Sequence, residues 1–132
     1  MEVQTFMTQI KKYTFFLVTL TVTGCVSEPV KQTLEYPPVV TFESPESGSE
    51  FFVGDEITFV ASVFDDNQTS DTLQIVWNSD KDLILDETPA TIDGEATFTT
   101  SSLSAATHII TLTAIDEEQA SAQDWIQIEI ID

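Results

Sequence analysis

The sequence has little positive charge, and this scarcity limits the partners it can have. It carries four lysines and no arginine against 23 aspartates and glutamates, so its formal net charge is −19. A surface this acidic repels phosphate backbones, which argues against nucleic-acid binding. It also argues against docking on anionic lipid headgroups through a basic patch. The negative charge could serve to bind cations, to bind basic partners or simply to keep the protein soluble.

Cysteine and histidine are equally scarce, since the sequence holds only Cys25 and His108. One cysteine cannot form an intrachain disulfide, and a zinc site would need three or four ligands. His108 has no nucleophile or orienting carboxylate close to it in sequence, so we predict no catalytic residue and no cofactor-binding loop. We interpret His108 instead as an imidazole at the core edge that bonds a backbone carbonyl.

Cys25 directly follows a segment typical of export. Residues 11–12 are lysines, residues 13–22 form an apolar run, and residues 23–24 are small. These are the three parts of a signal peptide. The apolar run is too short to cross the ~30 Å hydrocarbon core as a helix. Translation could begin at Met7 as well as at the first residue, because residues 7–12 alone make a compact basic region.

The residues Val22-Thr23-Gly24-Cys25 resemble a bacterial lipobox, in which an aliphatic residue and two small residues precede an invariant cysteine. Val22 departs from the leucine that is more usual there. The resemblance implies cleavage before Cys25 and a diacylglyceryl thioether on its sulfur, with acyl chains such as palmitate. Two or three acyl chains anchor a protein stably where one would be marginal. The alternatives are an ordinary secretory signal with a chance cysteine, or an uncleaved helix.

The lipobox divides the chain into a signal peptide (1–24), a lipidated cysteine with a flexible linker (25–37) and a domain (38–132). Loss of the signal peptide removes two lysines and Glu2, which changes the net charge from −19 to −20. The linker reaches at most ~40 Å, so the domain would stay close to the bilayer. Residues 26–27 lack the aspartate often found in lipoproteins kept in the inner membrane. This favours the outer membrane if the host is Gram-negative.

From residue 38 onward, apolar and polar residues alternate with the period of a strand that buries one face. The inward sets are Ile57-Phe59-Ala61-Val63, Leu73-Ile75-Trp77, Ala96-Phe98, His108-Ile110-Leu112-Ala114 and Ile126-Ile128-Ile130. Trp125, Gln127 and Glu129 are predicted to face outward. Residues 83–85 are predicted to form a short edge strand, and no stretch shows helical periodicity. About seven strands separated by frequent turns predict an all-β, antiparallel sandwich.

Four segments resemble bacterial immunoglobulin-like domains of the polycystic-kidney-disease (PKD) type: Phe42-Glu43-Ser44-Pro45, residues 52–59, Trp77, and residues 108–116. The resemblance covers about residues 38–132 and implies a single immunoglobulin-like sandwich. Two departures leave a neighbouring immunoglobulin-like or cadherin-like family open. Asn78-Ser79-Asp80 replaces the Gly-Asp-Gly turn of the family, and His108 stands where an aromatic residue is common.

Acidic residues gather in the loops that this topology places at one end of the sandwich, where the first strand also begins. The set comprises the acids Asp65, Asp66, Asp71, Asp93, Asp116, Glu117 and Asp124, together with the neutral Asn67. Calcium takes six to eight oxygen ligands, and Asp65, Asp66, Asp116 and Glu117 are the candidate ligands. No EF-hand spacing is present, because these ligands come from separate loops. The alternative is a solvated acidic rim.

The combination predicts a membrane-anchored extracytoplasmic lipoprotein whose domain contacts a protein or a glycan. One alternative is an accessory subunit of an envelope complex. A small hydrolase that uses two carboxylates is another, although a sandwich of about a hundred residues leaves little room for a cleft. Outward-facing Trp125 either marks a contact patch or packs against a neighbouring edge strand.

Overall fold

The computed structural model describes residues 36–132. The predicted signal peptide, Cys25 and nearly all of the linker lie outside the described residues. Within the described part, no helix is long and apolar enough to cross a membrane.

Eight β-strands and one short 3-10 helix make up the described part of the chain. The strands are β1 (Val39–Ser44), β2 (Ser49–Phe52), β3 (Ile57–Phe64), β4 (Gln74–Ser79), β5 (Leu83–Asp86), β6 (Glu95–Thr100), β7 (Ala106–Ile115) and β8 (Ser121–Ile131). The 3-10 helix, Ser70–Thr72, lies between β3 and β4. This arrangement confirms the predicted all-β fold.

The strands form two sheets, one with the order β1-β3-β6 and the other with the order β2-β8-β7-β4-β5. All neighbours pair antiparallel except β2, which runs parallel to β8. The eighth strand, one more than predicted, is β2. The chain leaves the first sheet after Ser44 and joins the edge of the second at Ser49. The two successive strands β1 and β2 therefore belong to different sheets. Residues 83–85 fall in β5, an edge strand as predicted.

The core lies between the two sheets and is built mainly from the inward sets that alternation predicted, with Ala90 and Leu103 added from loops and Phe98 only partly buried. Its buried apolar residues are Ile57, Phe59, Ala61, Val63, Leu73, Ile75, Trp77, Ala90, Ala96, Leu103, Ile110, Leu112, Ala114, Ile126, Ile128 and Ile130. Trp77 is fully buried, which confirms its predicted place. Phe42 meets it edge-on with the ring centroids 5.4 Å apart, and Phe59 and Phe98 pack around it. Aromatic pairs of this kind contribute about 0.5–1.5 kcal/mol beyond their buried area.

Two ends of the sandwich matter for function. We call the end with residues 65–69, 87–94 and 116–120 the acidic end, and β1 begins there because Val39 pairs with Phe64. We call the opposite end, with residues 80–82 and 101–105, the far end. The strands thus place the predicted acidic loops together, at the end where the chain enters the domain.

Candidate functional site

Asp65 and Asp116 each close a turn at the acidic end. Asp65 Oδ1 accepts hydrogen bonds from the backbone N–H groups of Asn67 at 2.7 Å and Gln68 at 3.1 Å. Asp116 Oδ1 accepts from the backbone N–H of Ala120 at 2.7 Å. Both carboxylates are 5% exposed. Each therefore has a structural role in its own loop, which the sequence pattern alone did not reveal.

A side-chain bond joins these two loops. Gln68 Oε1 accepts from the backbone N–H of Glu117 at 3.0 Å, so the loop after β3 and the loop before β8 are held side by side. The second oxygen of Asp65, Oδ2, and Gln68 Nε2 are buried and have no hydrogen-bond partner among the described residues. Buried polar atoms are usually paired, so this junction is the place in the acidic end most suited to a further ligand.

The four predicted calcium ligands divide by burial. Asp65 and Asp116 are buried, whereas Asp66 and Glu117 are exposed. Within residues 36–132, no group of three or more histidine, cysteine, aspartate or glutamate side chains is placed to hold a metal ion. A calcium ion here would therefore need backbone or amide oxygens beside Asp65 and Asp116, and the calcium site stays a prediction. Asp124 was expected at this end, but it lies within β8, where Oδ2 accepts from the backbone N–H of Phe42.

His108 is the centre of a buried polar network at the far end. Its Nε2 lies 2.8 Å from the carbonyl oxygen of Ser104, which confirms the predicted carbonyl partner. Its Nδ1 lies 2.8 Å from Ser79 Oγ. Because a carbonyl only accepts, Nε2 carries the proton and Nδ1 accepts from the Ser79 hydroxyl. Ser79 Oγ in turn accepts from the backbone N–H groups of Lys81 and Asp82.

Serine, histidine and aspartate meet in this network, but their arrangement does not fit nucleophilic catalysis. In a catalytic triad, the serine and the carboxylate bond opposite nitrogens of the imidazole. Here Asp82 Oδ2 lies 3.8 Å from Nδ1, the same nitrogen that bonds Ser79, and its carboxylate accepts from Ser104 Oγ and N–H. Ser79 and His108 are both 0% exposed, so no substrate reaches them. The geometry assigns the network a structural role that joins β4, β7 and the crossover between β6 and β7.

Asp80 extends this network to the surface. Its Oδ2 bonds the ammonium of Lys81, and its Oδ1 accepts from the backbone N–H of Ile109 at 2.7 Å. The hydrogen bond from Lys81 and then that from Ile109 hold the pKa of Asp80 below its ordinary value of 3.8. The exposed pair therefore fixes the turn after β4 against β7.

The outer face of the five-stranded sheet carries an exposed tryptophan among uncharged side chains. Trp125 is 58% exposed on this face and pairs with Thr111, which pairs in turn with Asn78. The outward positions of β4, β7 and β8 from residue 121 to 127 are Gln74, Val76, Asn78, Thr107, Ile109, Thr111, Thr113, Ile115, Ser121, Gln123, Trp125 and Gln127. None of them is charged. This uncharged patch, which Glu129 borders two positions beyond Gln127 on the same face of β8, is the second candidate site.

The structure resembles solved immunoglobulin-like and fibronectin-like domains. It matches an endo-β-1,4-mannanase from Thermotoga petrophila at 16% identity with a TM-score of 0.58 over 78% of this chain. It matches fibronectin(III)-like modules of Clostridium thermocellum CbhA at 15% identity with a TM-score of 0.59 over 72% of this chain. It matches titin M4 at 16% identity with a TM-score of 0.53 over 74% of this chain and 99% of titin M4. These likenesses establish an immunoglobulin-like fold.

The chain spans only 21% of the mannanase and 47% of the CbhA structure. No protein-family model matches the sequence, and no curated protein matches it either. The structural likenesses therefore establish the fold alone.

Proposed function

We propose that this chain is a lipid-anchored lipoprotein of the bacterial cell envelope, in which a PKD-type immunoglobulin-like domain contacts a protein or glycan outside the cytoplasm. The observation that carries the proposal is the position of Cys25. The only cysteine of the chain lies directly after the apolar run, at the one place where lipid attachment needs it. The sandwich that follows supports a binding or structural role and not a catalytic one.

The position of the domain relative to the bilayer follows from this anchor. β1 begins at the acidic end, next to residues 65–69. A linker of about a dozen residues reaches at most ~40 Å, so the acidic end faces the membrane and the far end is more open to partners. In a Gram-negative host, residues 26–27 favour the outer membrane. Two or three acyl chains would hold the protein there stably.

Mass spectrometry of the mature N-terminus tests the anchor. The expected product begins at Cys25 and carries the mass of a diacylglyceryl group, with or without a further acyl chain. Replacement of the thiol in Cys25→Ser should prevent lipidation and release the protein from the membrane fraction. A free Cys25 thiol on the wild-type chain would contradict the proposal.

Affinity capture from native envelopes with the lipidated protein tests the second half of the proposal. Recovery of one stable assembly would favour an accessory subunit, which is the alternative role for the same domain. Recovery of a soluble or surface polymer would favour an independent binding protein. Hydrolysis of a captured polymer by the purified chain would contradict a non-catalytic role.

A further inference from the structure

The outer face of the five-stranded sheet combines one exposed indole with uncharged neighbouring side chains. Trp125 is 58% exposed, and Gln123 and Gln127 flank it on the same face of β8. Same-face residues of a strand stand about 7 Å apart, and adjacent strands are about 4.8 Å apart. Thr111, directly opposite Trp125, and Asn78 beyond it continue the row across β7 and β4. Amide and hydroxyl groups therefore surround the indole on several sides.

We infer that this face binds a neutral polysaccharide, with a sugar ring stacked on Trp125 and its hydroxyl groups bonded by the surrounding amides and hydroxyls. An indole offers a flat apolar surface to the C–H face of a pyranose ring. Glutamine, asparagine and threonine side chains both donate and accept hydrogen bonds, as sugar hydroxyls do. The inference rests on the proposed binding function and names the partner class for it.

The charge distribution separates this ligand from the other possible occupants. The chain has a net charge of −19, yet the central outward positions of β4, β7 and β8 carry no charge. The nearest acid on the same face of β8 is Glu129, which pairs with Thr107 of β7 on one side and with Glu50 of β2 on the other. A basic partner would seek carboxylates, which on this face lie at the border of the patch, in Glu129 and Glu50. An anionic polymer would seek lysines, and the outward positions of β4, β7 and β8 have none. A second copy of the chain would bring two strongly acidic molecules together, which electrostatic repulsion opposes.

The far-end network supports the rigidity that stacking requires. Ile109 is 41% exposed and is the outward residue opposite Gln127, and its backbone N–H is fixed by Asp80. β8 is held on both sides, by β7 along its length and by β2 over residues 128–131. Trp125 and its neighbours therefore form a preformed surface, which lowers the entropy cost of binding.

Affinity electrophoresis of the full chain in gels that contain hydroxyethylcellulose, galactomannan or arabinoxylan tests the inference. At least one of these neutral polymers should retard the wild-type chain, whereas acidic polygalacturonate should not. Trp125→Ala should weaken the binding about tenfold or more. Phe64→Ala is the matched control, because Phe64 is also 58% exposed but lies in the three-stranded sheet. It should leave the binding unchanged.

Intrinsic fluorescence gives an independent measurement. Trp77 is fully buried and Trp125 is exposed, so a ligand that covers Trp125 should shift the emission to shorter wavelength. The shift should be absent in Trp125→Ala. Because Trp125 is largely exposed, the melting temperature of that variant should stay close to the wild-type value, which excludes misfolding as the cause.

Three results would overturn the inference: no retardation by any of the three neutral polymers, equal weakening in both variants, or a concentration-dependent dimer that Trp125→Ala abolishes. A protein partner captured from envelopes through Trp125 would also overturn it but would leave the proposed function intact. Mass spectrometry on the same preparations reports the anchor separately. A failure of the anchor is thus distinguishable from a failure of the polysaccharide site.

Discussion

Ser79 is the residue on which the far-end network depends. Its hydroxyl donates to His108 Nδ1 and accepts from the N–H groups of Lys81 and Asp82. In Ser79→Ala, these three groups lose their partner, and one of them, His108 Nδ1, belongs to a side chain that is 0% exposed. A buried polar group left unpaired costs about 1–3 kcal/mol, so the free energy of unfolding should fall by about that amount.

Chemical denaturation of Ser79→Ala beside Ser102→Ala measures this effect. Ser102 is exposed and bonds only the side chain of Thr100. Its replacement should change the free energy of unfolding by less than about 0.5 kcal/mol. Equal losses in the two variants would show that the buried network does not stabilise the fold.

Asp80 contributes a pH-dependent part of the stability. Its pKa is held below 3.8, first by the Lys81 ammonium and then by the Ile109 N–H. A carboxylate with a lowered pKa stabilises the folded state above its unfolded pKa, and this stabilisation is lost as the pH falls through the lowered value. The effect should be small, because the pair is at the surface and screened by water.

The melting temperatures of wild type and Asp80→Asn at pH 7 and at about pH 2.5 measure this contribution. The wild type should melt higher at pH 7, and the difference should shrink as the pH falls, because protonation of Asp80 removes the charge that Asp80→Asn also lacks. Lys81→Gln should reduce the pH dependence, because it removes the largest cause of the shift. A difference that grows in acid would contradict this assignment.

At the scale of the element, the turn before β6 depends on Gly94. Its φ is +90°, and a Cβ built on it would lie 2.5 Å from the backbone oxygen of Val63. The two residues approach closely because the Val63 N–H donates to the Gly94 carbonyl at 2.8 Å. Gly48 has a similar φ of +93°, but a Cβ there would meet no atom within 4 Å. The two glycines thus differ in the space around them and not in backbone conformation.

Gly48→Ala and Gly94→Ala form a matched pair for this difference. In both variants, the free energy of unfolding should fall by roughly 1–2 kcal/mol, which is the cost of the left-handed conformation for a residue with a Cβ. In Gly94→Ala, the free energy of unfolding should fall by about 1–3 kcal/mol more, because the new Cβ would force the backbone of β3 at Val63 to move. Thermal or chemical denaturation of both variants gives the comparison. Equal losses would mean that the loop between β5 and β6 yields without disturbing β3.

The strands that could be predicted from the sequence are those that bury one face and expose the other. Alternation identified the inward sets of β3, β4, β7 and β8, because a period of two follows directly from strand geometry. β2 escaped prediction because it has only four residues and its partner, β8, lies about 79 positions away in the chain. A parallel edge strand of that length shows no buried face in its sequence. The passage of the chain from one sheet to the other between β1 and β2 is determined by the pairing of β2 with the distant β8.

The same limit applies to the candidate sites. A backbone carbonyl partner for His108 could be predicted, since a buried imidazole N–H needs an acceptor, but its identity as Ser104, four positions earlier, could not. Ser79 could not, because the register that pairs it with Ile110 decides whether it reaches His108. Outward Trp125 could be predicted from alternation on β8. The uncharged face around it became visible only when the strand order placed β4, β7 and β8 side by side.

At the scale of the whole molecule, the acidic end determines how the domain responds to divalent cations. Asp65 and Asp116 are buried there, Asp65 Oδ2 lacks a partner among the described residues, and Gln68 ties the two loops together. If calcium occupies this junction, it binds the folded state alone and stabilises it by mass action. The melting temperature should then rise between excess chelator and millimolar calcium.

A matched pair of variants separates a site from general screening of the charge. Asp65→Asn should remove the calcium-dependent rise, because it removes a buried ligand, whereas Glu129→Gln changes the net charge equally at an exposed position on β8. Magnesium at the same concentration screens equally well but suits such irregular oxygen sites poorly. An equal rise in magnesium, or in Asp65→Asn, would identify the effect as screening of a −19 chain. No rise at all would leave Asp65 and Asp116 with their turn-closing hydrogen bonds as their whole role, and the acidic end as a solvated rim.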